Sequence, residues 1–202
     1  MKRCIWVLFM MLTMVTTGNA SVIINMNQVG SDVVATTTGS LQLSGLTFLL
    51  AAPSQASAVN PLTGTLLVGG GANTIVDVYS GMLGPGPPIG SGTTTIFANS
   101  GSGGLVGFSN QYANWLAVPN GYTSGTPFTA DSTWAKWNNA TIASLGLTSG
   151  STYTWTWGSG ATADSLTLNV NATAVPEPST YALLCISLGV VGYARKKMAV
   201  KP

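Results

Sequence analysis

Few residues in the middle of this chain could perform acid–base or nucleophilic chemistry. Between residues 21 and 174 there is no histidine, cysteine or glutamate, and the only cation is Lys136. Four aspartates remain: Asp32, Asp77, Asp131 and Asp164. Two of them converging in a cleft would form the carboxylate pair of a glycosidase, but isolated aspartates among Gly and Ser more often cap turns. We therefore expect turn or surface roles, with no catalytic residue, no metal site and no cofactor.

Tryptophans are the other candidates for binding a ligand. Five fall in the same region: Trp115, Trp134, Trp137, Trp155 and Trp157. An indole has a flat apolar face and one N–H donor, which suits both stacking on a sugar ring and packing at the edge of a core. For each indole a core position is favoured over a binding platform, and Trp134 and Trp137, which follow a polar stretch, are the pair that we expect to be the more exposed. They are our candidates for sugar stacking. Asp and Asn oxygens leave calcium binding open, although no EF-hand spacing is present.

Charge is concentrated at the two ends of the 202-residue chain, and charged residues make up only 6% of it. The middle is mildly acidic and lacks the basic stripe that a nucleic-acid backbone requires, so we expect no nucleic-acid partner. Cys4 and Cys185 lie in the two terminal apolar runs. The middle must therefore be held together without a disulfide, by burial of apolar surface, for which about 150 residues suffice.

Short segments of alternating polarity predict that the middle is all-β. The clearest are 152–157 and 165–170, and weaker candidates are 22–26, 33–37, 65–68, 74–79, 93–97 and 115–118. Clusters of Gly, Pro, Asn and Ser separate them, and we expect loops at 81–92 and 99–107. Many short strands punctuated in this way favour an antiparallel β-sandwich, jelly-roll-like. A short helix is predicted near 134–145.

The first 20 residues have the three parts of a secretory signal peptide. A basic start is followed by an apolar run at 4–15 and then by a polar exit. Gly18 and Ala20 are the small residues at the positions that signal peptidase reads. Cleavage after Ala20 would start the mature chain at Ser21.

The last part of the chain, 175–202, has three segments in a fixed order. A proline-flanked motif comes first, and its prolines impose an extended, exposed geometry. An apolar, uncharged span follows at 181–194, and a basic cluster then stops translocation. About 14 residues reach roughly 21 Å, which is short against a hydrocarbon core of about 30 Å. Such a span suits a segment that is held briefly and cut; an ordinary single-span anchor is the alternative. The motif comprises Val175, Pro176, Glu177, Pro178 and Ser179, and the stop comprises Arg195, Lys196 and Lys197.

These three segments closely resemble the PEP-CTERM sorting signal of Gram-negative bacteria. The family's signature is this motif, a Gly-containing apolar stretch and an Arg/Lys cluster at the extreme C-terminus. The resemblance implies that an exosortase, a multi-pass membrane peptidase, recognises the tail and cleaves near Pro-Glu-Pro. The family occurs in bacteria that make exopolysaccharide and biofilm, which makes exopolysaccharide a candidate partner.

We therefore predict a signal peptide at 1–20, a β-sandwich ectodomain at 21–174 and a sorting tail at 175–202 with a single transmembrane helix. The expected protein is a non-enzymatic surface or extracellular-matrix protein, exported through an inner-membrane intermediate. Its expected partners are signal peptidase, exosortase and exopolysaccharide. The alternative is a carbohydrate-binding module at the cell surface, and a third reading is an enzyme in which two aspartates converge.

Overall fold

The middle of the chain folds almost entirely into β-strands. A computed structural model describes residues 21–53, 56–70, 75–110 and 113–170. These residues form thirteen strands and two 3-10 turns, Leu43–Gly45 and Gly160–Thr162, and no α-helix. The strands are β1 (Ser21–Val29), β2 (Asp32–Gly39), β3 (Thr47–Pro53), β4 (Ala58–Asn60), β5 (Thr65–Val68), β6 (Ile75–Ser80), β7 (Ile96–Phe97), β8 (Ser100–Ser102), β9 (Val106–Ser109), β10 (Trp115–Pro119), β11 (Trp134–Trp137), β12 (Thr152–Trp157) and β13 (Asp164–Val170).

The strands form two sheets. The six-stranded sheet has the order β12-β13-β1-β2-β11-β8, and the seven-stranded sheet has the order β3-β6-β10-β9-β5-β4-β7. Neighbouring strands pair antiparallel except β1 with β13, which pair parallel. The prediction of an all-β fold with mainly antiparallel sheets is confirmed. The parallel ladder, and the thirteen strands among the described residues, depart from the eight antiparallel strands of a jelly roll.

Alternating side chains give each sheet one core face. Val22, Ile24 and Met26 of β1 are fully buried, while the residues between them point away from the core. Leu166 and Leu168 repeat the pattern in β13, as successive side chains of a strand point to opposite faces. Buried residues of both sheets belong to one hydrophobic cluster. The two sheets therefore pack as a sandwich around a single core.

One aromatic pair joins the two sheets directly. Phe108 lies in β9 of the seven-stranded sheet, and Trp155 lies in β12 of the six-stranded sheet. Their ring centroids are 4.0 Å apart, and both side chains are fully buried. The Trp155 Nε1–H donates to the Pro85 carbonyl oxygen at 3.2 Å, so the buried indole leaves no polar atom without a partner.

The short helix predicted near 134–145 is wrong. Trp134–Trp137 is strand β11, which pairs antiparallel with β2 on one side and with β8 on the other. The three-residue spacing of Trp134 and Trp137 resembles a helical period, yet here the two indoles lie on opposite faces of a strand. Strand β8 also falls inside the loop predicted at 99–107. Its Ser-Gly-Ser sequence has no hydrophobic alternation that could reveal it.

Thr37 gives a test of how the core is packed. Its side chain is fully buried on the inner face of β2, and its hydroxyl has no hydrogen-bond partner among the described residues. Thr37→Val keeps the shape and removes this hydroxyl, so it should raise the free energy of unfolding by about 1 kcal/mol in urea denaturation. Thr36→Val, on the opposite face, is the matched control, with an expected change within about 0.5 kcal/mol. A Thr37→Val protein less stable than wild type would contradict this packing.

Candidate functional site

The two buried aspartates hold loops in place. Asp77 in β6 accepts hydrogen bonds from Asn120 Nδ2 at 2.8 Å and from the Gly121 backbone N–H at 2.9 Å. Asp164, at the start of β13, accepts from the backbone N–H groups of Gln42 and Ser165. Burial raises the pKa of the Asp164 carboxyl, and these two backbone hydrogen bonds act in the opposite direction. Both carboxylates therefore have structural partners that account for their burial.

The two remaining aspartates lie at the surface. Asp32 pairs with Lys136 across the β2–β11 ladder, with 2.8 Å between Oδ2 and Nζ. It also accepts a hydrogen bond from the Asn139 backbone N–H at 2.9 Å. The Lys136 ammonium holds the pKa of the Asp32 carboxyl below its ordinary value. Asp131 is exposed in a turn. Among the hydrogen bonds and ion pairs of the described residues, no two aspartates share a partner.

The described residues were also compared with the requirements of a metal site. Within the described residues, no group of three or more His, Cys, Asp or Glu side chains comes close enough together to hold an ion.

Three of the five indoles lie in the core. Trp137, Trp155 and Trp157 are at most 2% exposed. The Trp137 Nε1–H donates to the Ile96 carbonyl oxygen at 3.1 Å, and the Trp157 Nε1–H donates to that of Gln42 at 2.8 Å. The expectation that Trp137 is exposed is therefore wrong, because residues 135 and 137 of β11 face the core. The structure does not bring Trp134 and Trp137 together as a stacking platform.

Trp134 is half-buried on a polar surface, the outer face of the six-stranded sheet. Thr36 of β2 and Ser102 of β8 flank it in register. Further along this face, Asn169 Nδ2 donates to Asn25 Oδ1 at 3.0 Å. Short polar side chains thus make up most of this outer face, and several of them form hydrogen bonds between neighbouring strands.

The outer face of the seven-stranded sheet is apolar along one line. The strand registers place one residue from each strand side by side across the whole sheet. None of these residues is charged or polar. We call them the apolar row: Leu50, Val78, Ala117, Gly107, Leu67, Ala58 and Phe97.

A groove of about 460 Å³ lies on this face. Beside the apolar row, it is lined by a second cross-strand set formed by Asn60, Thr65, Ser109 and Trp115. The hydroxyls of Thr65 and Ser109 are 3.0 Å apart, and Thr63 Oγ1 lies 3.1 Å from Thr65 Oγ1. No lining residue carries a formal charge. The groove therefore combines apolar walls, one indole and a chain of hydroxyls.

Comparison with family models finds a match in the C-terminal tail of the chain. The model described as the PEP-CTERM protein-sorting motif matches residues 174–197. The chain carries a PEP-CTERM sorting motif. The motif implies an exported protein that passes through a membrane-anchored intermediate and is processed by an exosortase. No curated protein and no solved structure matches the chain.

Most of the predicted targeting residues lie outside the described residues. These include the motif at 175–179, the basic stop at 195–197, Gly18 and Ala20; Ser21 is the first residue of β1. In the parts of 21–170 that are described, no helical segment has the length and hydropathy needed to cross a membrane. The sequence pattern did not predict the groove. The alternation Trp115-Leu116-Ala117-Val118 revealed a strand, but only strand pairing shows which residues stand beside the outward-facing Trp115.

The raised pKa of Asp164 predicts how stability depends on pH. The folded carboxyl titrates above its ordinary value of 3.8, so the folded state binds the proton more tightly than the unfolded chain. The contribution of Asp164 to the free energy of unfolding should therefore fall as pH rises from about 4 through the folded pKa. Asp164→Asn removes this titration. In urea denaturation at several pH values, the difference in stability, wild type minus Asp164→Asn, should decrease with rising pH. A difference that increases would contradict the assignment.

Proposed function

We propose that the chain is a non-enzymatic surface or extracellular-matrix protein whose β-sandwich is delivered outside the cell by exosortase-dependent sorting. The sorting motif at 174–197 is the observation that carries this proposal. Residues 1–20 act as a signal peptide, and signal peptidase cuts after Ala20. Residues 181–194 hold the intermediate in the membrane, and the basic cluster at 195–197 stays on the cytoplasmic side. The released or anchored sandwich then belongs to the exopolysaccharide layer and the biofilm.

Two structural observations support a non-enzymatic role. Asp77 and Asp164 are each engaged by backbone or amide donors that fix loops, and Asp32 is paired with Lys136. Their partners belong to different parts of the fold. A carboxylate pair for acid–base catalysis needs two such groups on one substrate, and the hydrogen bonds of the described residues join no such pair.

The sorting step is tested by disabling the motif in the native host. Changing Pro176, Glu177 and Pro178 together to Ala should leave most of the protein in membranes as a precursor that still carries its tail, because the peptidase loses its recognition sequence. Fractionation and gel mobility measure this. Thr173→Ala, one residue before the matched segment, is the control and should be processed as wild type. Normal processing of the triple variant would contradict the proposal.

Carbohydrate binding is the second candidate function, and the groove beside Trp115 favours it. Its volume falls within the range typical of ligand pockets. An indole, a row of hydroxyls and the Asn60 amide in an uncharged groove suit a neutral sugar, which needs an apolar platform and several hydrogen-bond partners. The Asn60 amide already donates to Thr95 Oγ1 at 3.0 Å, which fixes its orientation. This location replaces the paired platform that was expected at Trp134 and Trp137.

Exopolysaccharide purified from the native host is the probe for this site. Trp115→Ala should weaken co-sedimentation with the polymer about tenfold, which corresponds to about 1.4 kcal/mol, and Trp115→Phe should retain much of the binding. Trp134→Ala, on the polar face of the other sheet, is the matched control and should bind as wild type. Equal binding by Trp115→Ala and wild type would contradict the groove as the sugar site, whereas loss only with Trp134→Ala would assign binding to the polar face.

A further inference from the structure

Strand β1 is enclosed on both sides from its first residue. It lies between β13 and β2 in the six-stranded sheet, and it begins at Ser21. Ser21 stands opposite Ser165 in the parallel ladder, and its carbonyl oxygen accepts a hydrogen bond from the Ser40 backbone N–H at 3.2 Å. Gly39 passes so close to this oxygen that any side chain at position 39 would collide with it. The folded sheet therefore leaves no free space along the backbone of Ser21.

Signal peptidase needs this same backbone in another arrangement. The bond that it is proposed to cut joins Ala20 to Ser21, so Ser21 supplies the leaving amine. An extended peptide is held through main-chain hydrogen bonds along its edge, and the attacking group must come within about 3 Å of the carbonyl carbon. In the folded sheet both edges of β1 are already paired, with β13 and with β2. The closed sheet and the cut therefore exclude each other.

Closure of the sheet around β1 comes late along the chain. Strand β2 follows β1 directly, but an isolated two-stranded hairpin is only marginally stable in water. The second partner, β13, is the last described strand. Only its arrival completes the core in which Val22, Ile24 and Leu166 are fully buried. Strand β1 therefore stays accessible to a peptidase until β13 has crossed the membrane.

The sorting end of the chain is spaced differently. Val170 is the last residue of β13, and the matched motif begins at 174. Pro176, where the expected exosortase cut begins, lies six positions beyond Val170. An extended chain of that length reaches roughly 20 Å at about 3.3 Å per residue. This spacing allows exosortase to reach its site while the sandwich is folded.

We propose that closure of β13 onto β1 fixes the order of the two cuts: signal peptidase acts before the sandwich closes, and exosortase acts afterwards. This inference rests on the export route proposed above. A precursor that closes too early keeps its signal peptide, because the bond before Ser21 is then enclosed. It stays in the membrane at its N-terminal end even after its tail has been removed. Folding thus sets a time limit on the first cut.

Purified signal peptidase acting on the folded, full-length precursor tests this order. The precursor accumulates in the native host when signal peptidase is inhibited, and it is then purified in detergent. A precursor with Ser-Gly-Ser-Gly-Ser-Gly inserted between Ala20 and Ser21 is the reference. The insertion keeps a serine after the cut and moves the bond roughly 20 Å away from β1. The wild-type precursor should be cut at least about tenfold more slowly, because the cut must wait for β1 to open.

A matched pair of variants in β13 separates closure from other effects. Leu166→Asp with Leu168→Asp places charges on the buried face and prevents closure, so this precursor should be cut as fast as the reference. Thr167→Asp introduces the same side chain on the outer face of the same strand, and it should remain protected like wild type. Fluorescence of the buried tryptophans, Trp137, Trp155 and Trp157, reports whether each precursor is folded.

The outcomes distinguish the order of the cuts from the export route. A folded wild-type precursor that is cut as fast as the reference would overturn the order and leave the export route intact. Slow cutting of the precursor with both leucines replaced, despite its exposed tryptophans, would also overturn the order. No cut after Ala20 in any of the four precursors would overturn the export route and the order together.

Discussion

The parallel ladder between β1 and β13 joins the two ends of the described domain. It sets the first described strand beside the last one, at the centre of the six-stranded sheet, with Ser21 opposite Ser165 and Met26 opposite Val170. Both strands contribute fully buried side chains to the core. The six-stranded sheet can therefore form completely only when the chain is present as far as Val170. This residue lies four positions before the start of the matched sorting motif. Such long-range pairing also predicts slow folding.

The two outer faces of the sandwich differ in chemistry. Threonines, serines and asparagines make up most of the outer face of the six-stranded sheet. Some of these side chains form hydrogen bonds with side chains of the neighbouring strand. The seven-stranded sheet instead has the apolar row and the groove. A domain without a cysteine between residues 21 and 174 must be held by its core, and the Phe108–Trp155 contact joins the sheets at its centre. The groove therefore lies on one sheet, and the hydrogen-bonded polar surface lies on the other.

Alternating polarity in the sequence predicted strands, whereas the features set by strand pairing were not predicted. The eight segments with alternating polarity all contain or overlap strands, because alternation reflects one buried face. Strand β3 was missed since the five residues between Thr47 and Pro53 are all apolar and show no alternation, and β11 lies within the stretch that was predicted to be a helix. The exposure of Trp137 depends on its register with β2, which no local pattern contains. The sorting motif was recognised from its residues alone because a peptidase reads it as a linear segment.

The intact mass of the protein recovered from the host's envelope and medium tests whether the sandwich is exported and trimmed at both ends. Processing by signal peptidase and exosortase should give a chain that starts at Ser21 and ends near Pro176 to Pro178, with or without added sugar mass. A chain from healthy wild-type cells that still carries residues 181–202 would contradict exosortase processing and would leave a surface protein anchored by its own tail.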